Sequence, residues 1–212
     1  MYKILAFSDI HANEEALDAL RRLSAKENFD AIICAGDLTN RGPVSYAREL
    51  LELFEKKFYF VHGNMDSQNV VDELRNHKGF IHGKKLPFFD WNIVGLGGSN
   101  PTPFATPSEY SESQIEYILQ TAEADYNSIV VSHPPPKNYF DLVGESNHVG
   151  SSSVLAFMEK VKPLMLICGH IHEHAGKKIV GDTLIVKLPA AEALQAAKIL
   201  IGTSIKVEFF SL

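Results

Sequence analysis

Cysteine is scarce in this chain: two among 212 residues, Cys34 and Cys168, each inside an apolar run. No disulfide framework is indicated, and two buried free thiols are the ordinary reading. Basic residues are also in deficit, 20 Lys and Arg against 26 Asp and Glu, for a formal net charge of −6. That leaves no cationic surplus for counterion release on duplex nucleic acid or for adhesion to anionic lipid. General nucleic-acid binding is not expected, whereas a small anionic substrate drawn by a local positive charge is compatible. Apolar stretches reach only about eight residues, far short of the roughly 20 that a spanning helix needs. The opening MYKILAFSDIH lacks a signal-peptide cleavage region. A cytoplasmic protein without a membrane partner is expected. Repeats, low-complexity tracts and linkers are absent too, which predicts one domain over 1–212. What the chain has is 45% hydrophobic and 22% charged residues, enough to bury a substantial core.

The organisation is strand, helix, strand, helix, strand. Tyr2 to Phe7 is a nearly continuous apolar strand that stops at Ser8-Asp9-Ile10-His11. Asn13 can cap a helix whose Ala16, Leu17, Leu20 and Leu23 share one face. Ala31 to Ala35 repeats the strand, Gly42-Pro43 opens a helix striped by Val44, Ala47, Leu50, Leu51 and Phe54, and Phe58 to Val61 is the third strand. This alternation predicts a parallel sheet with right-handed crossovers. Phe80 to Gly97 changes rhythm, with breaks at Gly83-Lys84 and Asp90-Trp91-Asn92, so hairpins and a second or mixed sheet are expected. Ser111 with Gln114 forms a capping box for a helix carrying Ile115, Ile118 and Leu119, and Ser128 to Ser132 is a further strand. Val154 to Val161 reads as a helix, Leu164 to Cys168 as a strand, 177–180 with 184–188 as a hairpin, and 199–201 with 205–210 as a last hairpin. Ala190 to Ala197 suits helix by composition and a turn by position. Two loops, 98–109 and 133–150, are long enough to suggest that they rim a site.

Potential metal ligands cluster where these apolar strands end: Asp9-Ile10-His11, Gly36-Asp37, Gly63-Asn64, Ser132-His133 and Gly169-His170-Ile171-His172. In extended backbone, residues two apart point the same way, so Asp9 with His11 and His170 with His172 can each enter one cavity. Gly36, Gly63 and Gly169 fall where close backbone packing or a positive φ would turn a ligand inward. Oxygen and imidazole donors without thiolate suit Mn, Fe, Zn or Ni at a hydrolytic centre. Two metals held about 3.5–4 Å apart need a bridging carboxylate, and Asp37 is available. Taken singly, D-x-H can be a helix cap and Gly-Asp or Gly-Asn a turn; only their joint occurrence is diagnostic.

In this order the motifs D-x-H, G-D, G-N, H and G-H-x-H resemble the calcineurin-like metallophosphoesterase superfamily, over a span from Asp9 to His172. The resemblance implies a four-layer α/β/β/α sandwich of two mixed β-sheets with a dinuclear metal centre at the strand carboxyl ends. It assigns one metal to Asp9, His11 and His172, the other to Asn64, His133 and His170, with Asp37 bridging. It is closest to the smaller prokaryotic phosphodiesterase-like members. Two divalent ions are implied, with Mn favoured among Mn, Fe, Ni and Zn, and the substrate is a small phosphoester.

Many members carry histidine after Gly-Asn, thought to protonate the leaving group; here the residue is Met65, which cannot. General acid catalysis is typically worth about 10²–10⁴-fold, so another donor or an undemanding leaving group is expected. His148, in the second long loop, is the candidate donor, ahead of His62, and Arg41 is the candidate ligand for a non-bridging phosphate oxygen. His77, His82 and His174 read as surface or structural. Tyr139, Phe140 and Phe104 either stack on a nucleoside or aryl group or, the simpler reading, anchor their loops. The expected activity is phosphodiester hydrolysis by in-line attack of a metal-bridging hydroxide. The alternatives are a phosphomonoesterase or pyrophosphatase on the same site, and a non-catalytic interaction scaffold that keeps the fold. A homo-oligomer is compatible with everything above.

Overall fold

Strand β1 (Tyr2–Phe7) alternates in the way that decides the architecture: Leu5 and Phe7 face a core shared with helices, while Ile4 and Ala6 face a second core between two sheets. A sheet buried on both faces needs apolar residues at every position, which is why the strand reads as continuous rather than alternating. The protein is described here by a computed structural model covering residues 1–54 and 58–212.

The first sheet contains β1, β2 (Ala31–Ala35), β3 (Phe58–Val61), β12 (Gln195–Ile201) and β13 (Ile205–Ser211), in the order β13-β12-β1-β2-β3. β1, β2 and β3 are parallel, and β12 and β13 extend the sheet as an antiparallel hairpin. Helices α1 (Glu14–Lys26), α2 (Val44–Phe54) and α3 (Gln68–Leu74) cover its outer face, with Leu17, Leu20, Ala47, Leu50, Val70 and Leu74 packed on that side.

The second sheet contains β4 (Lys85–Phe88), β5 (Trp91–Leu96), β6 (Ser128–Ser132), β9 (Met165–Cys168), β10 (Gly176–Val180) and β11 (Thr183–Lys187), in the order β10-β11-β9-β6-β5-β4. β5, β6, β9 and β11 are parallel, with antiparallel β4 and β10 at the edges. Its outer face carries α4 (Glu112–Thr121) and α5 (Ser152–Val161) through Ile115, Leu119, Val154, Phe157 and Met158. Between the sheets, Ile4, Ile33 and Ile199 meet Ile93, Val131 and Ile167. The result is an α/β/β/α sandwich of two mixed sheets. Truncating a fully buried member such as Ile167 to alanine would cost about 2–5 kcal/mol.

The helix starts follow the capping chemistry of the sequence. The Asn13 side chain accepts from the Ala16 amide, Ser111 and Gln114 form the reciprocal capping box, and Ser151 accepts from the Val154 amide. Three features differ from the sequence reading. The seven-residue α3 is not expected from sequence, because Val70, Val71 and Leu74 are too few to establish a helical period. Ala190 to Ala197 divides into a short 3₁₀ turn, Ala191–Ala193, and the start of β12. The loop 133–150 contains a miniature hairpin, β7 (Leu142–Val143) with β8 (Asn147–His148). No helix among the described residues is long and apolar enough to cross a membrane.

Candidate metal centre

The carboxyl ends of β1, β2 and β3 in one sheet and of β6 and β9 in the other converge, and the loops that leave them are stitched together. Asp9 N donates to Gly36 O at 2.9 Å, and Gly169 N donates to His133 O at 3.1 Å. Asp9, His11, Asp37 and His170 all have positive φ, 55°, 50°, 51° and 74°. Non-glycine residues in this region carry a backbone cost that the surrounding structure must offset, a pattern concentrated at functional sites. Glycine serves the same convergence by omitting a side chain. A Cβ on Gly63 would lie 2.0 Å from Asp37 Oδ1, and one on Gly36, whose φ is +100°, would lie 2.4 Å from His133 Nδ1.

Two clusters result, each with ligand atoms within 4.8 Å of one another: Asp9, His11 and His172, and Asp37, His133 and His170. In the first, His11 Nε2 and His172 Nε2 face each other at 3.4 Å, and His172 Nε2 lies 3.5 Å from Asp9 Oδ1. In the second, Asn64 Oδ1 stands 2.8 Å from His133 Nε2. A single oxygen, Asp37 Oδ2, lies 3.8 Å from His11 Nε2 and 3.4 Å from His133 Nε2, so one carboxylate reaches both clusters. Its other oxygen accepts from the Met65 amide at 2.7 Å. Imidazole nitrogens and carboxylate oxygens aimed at common points, without thiolate, are a donor set that fits divalent cations.

Outer contacts fix the rings. His133 Nδ1 lies 2.7 Å from Ala35 O; a carbonyl only accepts, so this nitrogen carries the proton and Nε2 faces the cluster. His172 Nδ1 lies 3.0 Å from Glu192 Oε1, which fixes that ring in the same sense. The Glu192 amide in turn donates to Asp9 O at 3.1 Å. Asp66, fully buried, accepts from the amides of Leu38, Thr39 and Gly63 and from the Thr39 hydroxyl, and so clamps the Asp37 and Asn64 loops together.

The electrostatics follow from burial and close opposite charges. Burial would raise the Asp9 carboxyl, but the His172 hydrogen bond and the charges of His133, Lys187 and His172 hold it far below the usual carboxylate range. Burial would lower His133, but Asp37 and Asp9 raise it to about 9. His170 is pushed down to about 3 by burial and by the charge of His133. Burial and the nearby Asp37 raise Asp66 to about 6.

The remaining candidates lie outside these clusters. Arg41 is exposed, with φ of 66°, and its amide donates to Met65 O at 2.9 Å, which ties it to the loop beside Asn64. His148 is on β8, with Nδ1 2.6 Å from Oδ1 of the fully buried Asp141, whose Oδ2 accepts from the amides of Asn138 and Gly150. His62 is buried against Phe80, His82 and Tyr110. Tyr139 lies under the Lys178 ammonium and Phe140 against Gly176, the contacts of loop anchors. Phe104 is 78% exposed and does not anchor its loop.

A family model for the calcineurin-like phosphoesterases matches residues 2–174. The chain belongs to the calcineurin-like phosphoesterase family. Protein MJ1162 of Methanocaldococcus jannaschii is 34% identical over 192 residues, covering 87% of this chain and 86% of its own. A probable cyclic nucleotide phosphodiesterase of Vesicomyosocius okutanii is 23% identical over 203 residues, covering 87% and 84%. The crystal structure of TT1561 from Thermus thermophilus shares the fold at a TM-score of 0.77 and 19% identity, over 99% of this chain and 98% of that one. Calcineurin-like phosphoesterases are metal-dependent, and the two clusters are this chain's candidates for holding the ions.

Residues that sequence reasoning missed lie around the clusters rather than in them. Asp66 follows the Gly-Asn motif by two positions and gives that weak signal only. Asp141 sits in a loop and Glu192 in an alanine-rich turn beyond the family match, with no motif to mark either.

Proposed function

We propose that this chain is a dinuclear metal-dependent phosphodiesterase acting as a single domain on a small phosphoester. The observation that carries the reading is the position of Asp37 Oδ2 between His11 and His133, the place of a bridging ligand. Asp9, His11 and His172 would hold one cation, and Asn64, His133 and His170 the other. Three oxygen donors, Asp9, Asp37 and Asn64, favour manganese over softer ions. When bound, the two cations supply an activated water and a charge clamp on the phosphoryl oxygens.

The chain's own groups do the rest. Asp37, fixed through Met65 N and the Asp66 clamp, holds the two ligand loops at one spacing. Arg41, on the rim beside Met65, supplies a guanidinium for a non-bridging oxygen. His148, as the doubly protonated ring, would supply a proton to the leaving oxygen from Nε2, with Asp141 accepting from Nδ1–H and steadying the cation. Asn100 Nδ2 donates to Val149 O, and Thr106 Oγ1 meets Asn64 Nδ2, so the two long loops are tied to each other and to one cluster. The V. okutanii relative's name and the Met65 substitution favour a diester over a monoester.

The test is metal analysis of the purified protein, coupled to rates on matched mono- and diesters with Mn, Ni, Zn and Mg added back. Two bound cations and chelator-sensitive turnover, faster on diesters, are expected. Faster monoester turnover would make it a phosphomonoesterase. Partner binding with no hydrolysis of any ester would make it a scaffold.

A further inference from the structure

Asn64 is the one amide among the seven candidate ligands, and an amide can face a cation usefully in only one of two orientations. Its oxygen has lone pairs to offer; its NH₂ has two hydrogens and no available pair. What selects the orientation lies in the loop 98–109. Ser108 N donates to Asn64 O at 3.0 Å, and the Ser108 hydroxyl donates to Asp66 O at 2.7 Å, so this loop is seated on the Asn64 turn. Thr106 Oγ1 then lies 3.1 Å from the Asn64 amide and 2.6 Å from Glu109 Oε1.

Counting protons settles the polarity. A hydroxyl has one hydrogen, and an ionised carboxylate can only accept. Glu109 Oε1 also takes the Thr106 amide at 2.8 Å and the Thr102 hydroxyl at 2.6 Å. Burial opposes its ionisation, but these bonds hold Glu109 below the usual carboxylate range. The Thr106 hydrogen therefore points to Glu109, and only a lone pair faces Asn64. The atom of Asn64 on that side must be Nδ2, which leaves Oδ1 on the side of His133 Nε2, at 2.8 Å.

We propose that Thr106 and Glu109 are positioning residues that fix which end of the Asn64 amide faces the second cluster, and thereby set that cluster's affinity for its cation. This rests on the two-metal reading above. Glu192 acts on His172 in the other cluster, so the two cation sites have separate outer carboxylates and should respond separately to substitution.

The experiment is calorimetric titration of Mn²⁺ into the metal-free protein, for wild type, Thr106→Val, Thr106→Ser and Glu109→Gln. Thr106→Val keeps the shape and loses the acceptor. Glu109→Gln offers a donor to Thr106, which frees the hydroxyl hydrogen to turn toward Asn64 and favours the wrong amide orientation. Loss of an outer-sphere partner typically costs about 10–100-fold in metal affinity. Both variants should weaken one of two sites by that factor and leave the other unchanged, while Thr106→Ser should retain both wild-type affinities. Far-ultraviolet circular dichroism of the metal-free forms checks folding; if Thr106→Val misfolds, Glu109→Gln decides. Two wild-type affinities in a folded variant would overturn the proposal alone. A wild-type protein that takes up no cation would overturn the two-metal reading and the proposal together.

Discussion

The Nδ1 atom of His172 stands 3.0 Å from Oε1 of Glu192, so the nitrogen left to face Asp9 and His11 is Nε2. Glu192 belongs to a turn about twenty residues after the ring it orients, docked by its own amide on Asp9 O. Glu192→Ala should lower cation affinity at the Asp9 cluster by about 10–100-fold. Glu192→Gln, whose amide oxygen still accepts, should lose less. Metal retained after dialysis, measured across the three proteins, checks the order.

Asp37 Oδ2 reaches ring nitrogens of both clusters, and its replacement should affect both. Asp37→Asn should leave at most one cation bound and slow hydrolysis by several kcal/mol of lost charge stabilisation, on the order of 10²–10³-fold. Elemental analysis with turnover on a bis-aryl phosphate measures the two effects. Wild-type values for both would remove Asp37 from the bridging role.

The Asp141–His148 pair predicts a dependence on the leaving group. His148→Ala should slow diesters with alkoxide leaving groups by about 10²–10⁴-fold and change nitrophenyl diesters little, since a phenolate of low basicity departs without a proton. Asp141→Asn should move rates in the same direction by weakening the hold on Nδ1. Equal losses on both substrate types would assign His148 to structure.

His82 gives a pH test away from the clusters. It is half-buried, accepts from the Gly97 amide at 2.8 Å through Nδ1, and is held down from 6.5 to about 4 by loss of solvation and by the charges of Arg75 and Lys84. Its neutral form is the folded form. Stability from this group is therefore complete above pH 6.5 and is lost as pH falls from 6.5 toward 4, where the unfolded chain binds the proton first. Between about pH 7 and pH 5 the loss should be about 2 kcal/mol, from roughly 1.36 kcal/mol per pKa unit. His82→Asn, which keeps an acceptor near Nδ1, should flatten that difference in denaturant melts at the two pH values.

Much of this is legible without the fold, for a physical reason that can be read at particular residues. A strand stretch buried on both faces must be apolar, so Tyr2–Phe7 beyond Lys3, Ala31–Ala35 and Met165–Cys168 stand out, and the polar residues that end them stand out equally. Glycine beside a ligand is legible too, because only the absence of Cβ lets Gly63 approach Asp37. Phe104 reads, with Tyr139 and Phe140, as an anchor; nothing in its local sequence separates an aromatic that packs from one that projects.

By itself, then, the sequence determined most of the strand and helix order and the ligand-type residues that end the strands, since these depend on local periodicity or on chemistry that few residue types supply; the two-sheet sandwich followed from the family resemblance of those motifs. Tertiary structure alone decided how those residues are held. Glu192 on His172, Glu109 through Thr106 on Asn64, Asp141 on His148 and Asp66 across the Asp37 and Asn64 loops are carboxylates on turns and loops. A carboxylate in a loop carries no period and no motif, and only the chain's return through space gives it a partner.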